Sequence, residues 1–294
     1  MNKMITKNFE KINFSKICLP IVLLFLLFTY FYMNNALSIS NSLELQKELF
    51  LKINHRFSNH PNILNNLALD NFTQFGDAFT LMSFLTIFIL YASRLWKGLI
   101  TSSLVSFVFC FSLKKLFKYP RPATVFDNDS FTIVGKTLTA QNSLPSGHSI
   151  TVFVIFTIIL YAFMPQNQLK KIVWTLFILF FGLFLASTRI GVGAHFPLDI
   201  AVGSIVGYIC GVMGIIINNK FNLWRCISNQ KHYPYIILIL LISIIITSIK
   251  IIHQGLFVYY LSLISLFISL VLIIKHYVKS QSKITNFYIN NKLS

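Results

Sequence analysis

The chain has 294 residues, 55% of them hydrophobic and 11% charged, with a mean hydropathy of +0.69. A soluble domain carries roughly 25% charged residues, so this composition excludes an ordinary soluble enzyme and points to repeated membrane crossing. The net charge of +17 could suggest nucleic acid, but the 25 Lys and Arg are spread over short loops, a pattern that fits membrane topology and a phospholipid bilayer rather than a nucleic-acid partner.

In chain order, residues 1–16 carry Lys3, Lys7, Lys11 and Lys16 and read as a cytoplasmic N-terminal segment. The apolar run 17–33 is long for a signal peptide and lacks a small-residue cleavage pattern, so it reads as an uncleaved anchor. Residues 43–57 place Leu43, Leu49, Phe50, Ile53 and Phe57 on one helical face, with Glu44, Lys47, Glu48 and Lys52 off it. That pattern suits either a helix lying on the membrane surface or one packed against the bundle. Further apolar runs follow at 78–92, 98–116, 149–163, 172–187, 198–217, 234–252 and 256–274. The expected fold is all-α, a polytopic membrane helix bundle. A six-span core occupies 17–217, a two-span hairpin 218–274 and a basic cytoplasmic tail 275–294. Cys18, Cys110, Cys210 and Cys226 form no close pair, which gives no disulfide or zinc pattern.

With the N-terminus inside and eight spans, most Lys and Arg fall on the cytoplasmic side. The same arrangement places three polar motifs together on the opposite face. The first runs Lys114-Lys115-Leu116-Phe117-Lys118-Tyr119-Pro120-Arg121-Pro122. The prolines stop a helix. Lys114 and Arg121 can then converge on one anion, Arg as a planar fork and Lys as a mobile point charge. Ordinary membrane-flanking cations would look the same, and Lys115 and Lys118 read as such.

The second motif, Pro145-Ser146-Gly147-His148, opens a span. Free N–H groups at a helix start bind phosphate, Ser146 can add a hydroxyl, and His148 is placed to give a proton to a leaving oxygen. A helix cap beside an interfacial histidine is the plainer reading of this tetrapeptide taken alone. The third motif contains Arg189, Gly191, Gly193, His195 and Asp199. His195 and Asp199 are four apart and share a face if a helix starts near Pro197. Asp199 can fix one imidazole nitrogen and leave the other free to attack. A proton relay in a transporter would use a similar pair. No second histidine or carboxylate stands at ligand spacing, so neither a metal nor a cofactor is expected.

Taken together, the three motifs and their spacings resemble the signature of the type-2 phosphatidic acid phosphatase superfamily. The resemblance covers about 77–217. Thr188 stands where the family usually has serine, and Phe75-Gly76-Asp77 is similar to a recurrent family stretch. The resemblance implies His195 as the nucleophile, Asp199 as its holder, and His148 as the acid that later activates water. It implies Lys114, Arg121, Ser146, Gly147 and Arg189 as the phosphate cradle. The expected function is an integral membrane phosphatase acting on a phosphate or diphosphate monoester of a membrane lipid through a phosphohistidine. Undecaprenyl pyrophosphate, phosphatidylglycerol phosphate, phosphatidic acid and lipid A phosphate are the candidate substrates. A lipid-to-lipid phosphotransferase and a non-catalytic lipid transporter or binding protein are the alternatives. The site is expected on the extracytoplasmic face of a bacterial inner membrane. Substrate specificity is expected in the loop 123–144 and in the lipid-facing bundle surface.

Overall fold

The computed structural model describes residues 1–58, 66–221 and 223–292. These residues form helices joined by loops, with no strand among them. A helix stands at each of the eight apolar runs. They are α2 (Ser15–Met33), α5 (Ala78–Leu85, continued by a short 3₁₀ turn), α6 (Ser93–Phe117), α8 (Gly147–Ala162), α9 (Gln168–Gly191), α10 (Pro197–Phe221), α11 (Tyr233–Gln254) and α12 (Phe257–Lys292). Four more helices fill the ends of the bundle: α1 (Asn2–Glu10), α3 (Ile39–Ser58), α4 (Asn66–Gln74) and the single turn α7 (Pro122–Val125). Among the described residues, six helices are long and apolar enough to cross a membrane, while Ala78–Phe88 and Gly147–Ala162 are shorter. Helix α12 runs on through position 274, where the sequence places the end of the last span. Residues 293–294 of the expected tail lie outside the described residues.

Helix α10 is the axis, packed against both α8 and α6. Small residues on α10 allow this. A Cβ at Gly203 would meet the Ser146 carbonyl oxygen at 2.8 Å, and one at Gly211 would meet Thr157 Cβ at 2.7 Å. Gly207 lies against the Ile150 backbone in the same way. With no side chain between the two backbones, the helices come close enough for dense van der Waals contact, which is the main attraction between helices in lipid. Outward faces are apolar instead: Phe107, Phe111, Phe177 and Phe180 are exposed, as a lipid-facing wall requires.

Helix α3 lies on α9 and α10. Its buried residues are Leu43 and the stripe Ser42, Gln46, Phe50 and Asn54, one residue every four, in which three of the four are polar. Leu49, expected on the apolar face, is half-exposed. The polar members explain the difference. Gln46 donates to the Tyr119 hydroxyl at 2.9 Å and accepts from the Leu198 N–H at 3.1 Å. Asn54 donates to the carbonyls of Thr132, Ile190 and Gly191 and accepts from the Thr132 N–H at 2.8 Å. The helix thus supplies hydrogen bonds to loops that would otherwise bury bare backbone groups.

Candidate active site

Helix α6 ends at Phe117, and Lys118 takes a left-handed conformation (φ 45°) that turns the chain back before Pro120. This turn, rather than a continued helix, carries Arg121 toward the bundle axis. Arg121 is 7% exposed. Its Nε donates to Asn142 Oδ1 at 2.9 Å and its Nη1 to the Ala194 carbonyl at 3.0 Å. Lys114 is half-buried and its ammonium makes no hydrogen bond or ion pair to a described residue, whereas Lys115 and Lys118 are exposed.

Helix α8 begins where the second motif predicts. Ser146 is its N-cap, with the hydroxyl accepting from the Ser149 N–H at 3.4 Å. The Ser146 N–H donates to the Asp199 carbonyl at 3.1 Å, which pins the start of α8 to the start of α10. Ser146 is therefore wholly buried, and its oxygen is partly occupied by the cap. The His148 ring rests on Gly76, where a Cβ would come within 2.7 Å of His148 Cβ and 2.8 Å of Cδ2.

The third motif closes the site. Helix α9 ends at Gly191, and Gly193 (φ 74°) reverses the chain against the Thr132 carbonyl, a conformation that favours glycine. His195 and Asp199 are 2% and 0% exposed. Asp199 Oδ2 lies 3.1 Å from His195 Nδ1 and accepts from the Phe196 N–H at 2.9 Å. The Ser143 hydroxyl donates to the same carboxylate oxygen and lies 3.2 Å from Nδ1. A carboxylate at Nδ1 fixes that nitrogen as the N–H and leaves the Nε2 lone pair open. Nε2 faces Arg121 Nη1 at 3.4 Å. Arg189 is buried and donates through Nη1 to Thr73 Oγ1 at 2.9 Å, while its buried Nε has no partner among the described residues. Thr188 keeps its hydroxyl inside α9, donating to the Leu185 carbonyl at 2.6 Å.

His195 lies in the short loop between α9 and α10. Burial, then the charges of Arg121, Arg189, Lys114 and His148, hold it well below the ordinary histidine value near 6.5. Those same charges show that the three motifs converge: three cations and the second histidine all act on one ring. None of the three cations is paired with a carboxylate among the described residues, where Lys250–Asp77 is an ion pair and neutral His195 is hydrogen-bonded to Asp199. Such a site holds an excess of positive charge around an unprotonated nitrogen, as attack on an anionic phosphorus centre requires.

Residues 94–223 match the family model described as the PAP2 superfamily.

The resemblance read from the motifs is borne out by this match, and all three motifs lie inside it. The PAP2 match begins after Phe75-Gly76-Asp77, so that stretch lies outside it, as do α1–α5 and α11–α12. The crystal structure of Aquifex aeolicus LpxE is similar at 28% identity over 58% of this chain and 95% of that one, with a TM-score of 0.48. No curated protein matches the chain.

Around the three motifs stand residues that sequence reasoning does not single out. Ser143 and Asn142 come from the loop 123–144, Thr73 from α4, and Gln46 and Asn54 from α3. A signal for the first two exists: adjacent polar residues separated by Leu144 alone from a Pro-Ser-Gly-His helix start. The others are far away in sequence and carry none.

Proposed function

We propose that the protein is an integral membrane lipid phosphatase that hydrolyses a phosphate or diphosphate monoester through a phosphohistidine. The PAP2 match supports a phosphatase acting on lipid phosphate. The observation that carries the mechanism is His195: Nδ1 held by Asp199 and Ser143, Nε2 open toward unneutralised cations. The Nε2 lone pair forms the N–P bond while the P–O bond to the lipid breaks. His148, protonated when the anionic phosphate is bound beside it, gives that proton to the departing alkoxide oxygen. A water molecule then forms a new O–P bond, its proton passing to His148, and the N–P bond breaks. Arg121, Arg189 and Lys114 stabilise the equatorial oxygens, with the amides at Gly147 and the Ser146 hydroxyl at the helix start. These cations supply the charge that a metal supplies in other phosphatases, so turnover is metal-independent.

The site faces the extracytoplasmic side of a bacterial inner membrane, with the N-terminus inside, by the distribution of Lys and Arg. Substrates are undecaprenyl pyrophosphate, phosphatidylglycerol phosphate, phosphatidic acid or lipid A phosphate, whose shared phosphate the motifs bind. Purified protein in detergent, given each lipid with a chelator present, should release inorganic phosphate from at least one. His195→Ala should lower that release by about 10⁴-fold or more. Phosphate appearing on an added acceptor lipid instead of in solution would make the protein a phosphotransferase. Full turnover by His195→Ala would overturn the nucleophile.

A further inference from the structure

The helix pair α11–α12 lies outside the PAP2 match and has no assigned task. It nevertheless reaches the site through one segment, residues 71–77, which has two faces. On the inner face, Thr73 accepts from Arg189 and the Gly76 backbone supports the His148 ring. On the outer face, the helix pair holds the same segment. The Val258 N–H donates to Asn71 Oδ1 at 2.9 Å, and Lys250 Nζ donates to Asp77 Oδ1 at 3.1 Å. Phe75, between them, stacks on Phe84 at 5.3 Å and packs against Leu256, Val258 and Tyr259 at the turn joining the two helices.

Asp77 is the N-cap of α5, accepting from the N–H and the hydroxyl of Thr80, each at 2.8 Å. Burial pushes its carboxyl up, but the Thr80 N–H and the Lys250 ammonium outweigh this and hold it below the usual range. Lys250 is fixed in turn by the rings of Phe79 and Tyr259, at 5.2 and 5.3 Å. Cap, cation and rings determine where residue 77 sits. Residue 76 is its covalent neighbour, and there is no free space between the Gly76 Cα and the imidazole of His148.

We infer that Lys250 is a positioning residue for His148, acting through Asp77 and Gly76, so that the helix pair α11–α12 braces the acid–base side of the phosphate site. This rests on the proposed phosphatase reaction. The helix pair then belongs to the catalytic unit, although the family match stops before it.

The test uses the need for a proton at the leaving oxygen. Dodecyl phosphate loses a poor alkoxide that requires His148, whereas p-nitrophenyl phosphate loses a phenolate that does not. The value of kcat/KM reports the step that releases this group. Lys250→Met in the full chain should lower kcat/KM for dodecyl phosphate by about tenfold, a part of the 10²–10⁴-fold that a whole general acid supplies. For p-nitrophenyl phosphate it should fall less than about twofold, since no acid is needed there. Lys250→Arg should restore the alkyl substrate. In a His148→Ala background, Lys250→Met should add no further selective loss, because the two act as one unit. Equal losses with both probes, no loss with either, or a selective loss that persists without His148 would overturn the assignment and leave the phosphatase reading standing. If the unsubstituted protein turns over neither these probes nor any lipid phosphate, the phosphatase reading itself fails and this assignment falls with it.

Discussion

The two ends of the bundle both bury cations, but they surround them differently. At the motif end, Arg121 and Arg189 are aimed by neutral acceptors: Asn142, the Ala194 carbonyl and Thr73. The carboxylate in their midst, Asp199, is engaged by His195, Ser143 and a backbone N–H. At the opposite end, Arg94 donates to Asn219, whose own amide donates to the Phe9 carbonyl of α1. Asn8 donates to the carbonyls of Ala162 and Met164, closing the C-terminal end of α8. Amides at that end satisfy helix termini and tie α1 to the bundle. At both ends the cations are oriented by uncharged groups, so their charge remains available. The difference is that at the motif end a histidine with one committed nitrogen stands among them.

The comparison breaks most sharply at Arg121. Arg121→Lys keeps the charge but loses the fork that binds Asn142 and the Ala194 carbonyl, and should lower kcat/KM by about 10²-fold. An effect below about threefold would mean that charge alone suffices there. Ser143→Ala removes one donor to Asp199 while the Phe196 N–H remains. A lost hydrogen bond to a charged group is worth about 1.5 kcal/mol, so kcat should fall about tenfold. An unchanged rate would show that Asp199 alone holds the ring.

The pH profile gives a smaller signature. His195 is already neutral at its ordinary titration point, so its acid limb in kcat/KM should lie below pH 6.5. Its contribution to stability has the same sign. Unfolded histidine takes up a proton near 6.5 and the buried one only at lower pH, so stability is lost as pH falls through the interval between. A limb above 6.5 that His195 substitution removes would contradict the assignment. The least effect on rate is expected at the opposite end. Asn8→Leu should cost roughly 1–3 kcal/mol of stability by leaving two carbonyls short of a donor, seen as earlier thermal unfolding in detergent, with kcat unchanged. A rate loss comparable to that of Ser143→Ala would erase the distinction between the ends.

Much of this was legible before any coordinates. Apolar runs mark eight helices, six of them long enough to cross a membrane, because lipid rewards long uncharged stretches. The prolines and glycines of the motifs mark where helices stop and start, which places Lys114, Ser146 and Asp199 on the correct elements. Within the loop 123–144, the residues that reach the site are Asn142 and Ser143, adjacent to the helix start, while Thr132 is bound to Asn54. The stripe Ser42–Gln46–Phe50–Asn54 could not be read as buried, because polar residues at helical spacing ordinarily face water. They are inside because groups from distant segments need partners there: the Tyr119 hydroxyl, the Leu198 N–H and the carbonyls of Thr132, Ile190 and Gly191.

By itself the sequence determined the bundle, where the motif helices stop and start, and the candidate reacting groups, since each depends on local chemistry: hydropathy over one span, a proline, a cap, a pair four apart. The tertiary structure alone decided which uncharged residues aim the cations, that His148 leans on Gly76, and that Lys250 stands behind Asp77. Those are contacts between segments far apart in the chain, and no local pattern encodes the distance between two helices until they pack.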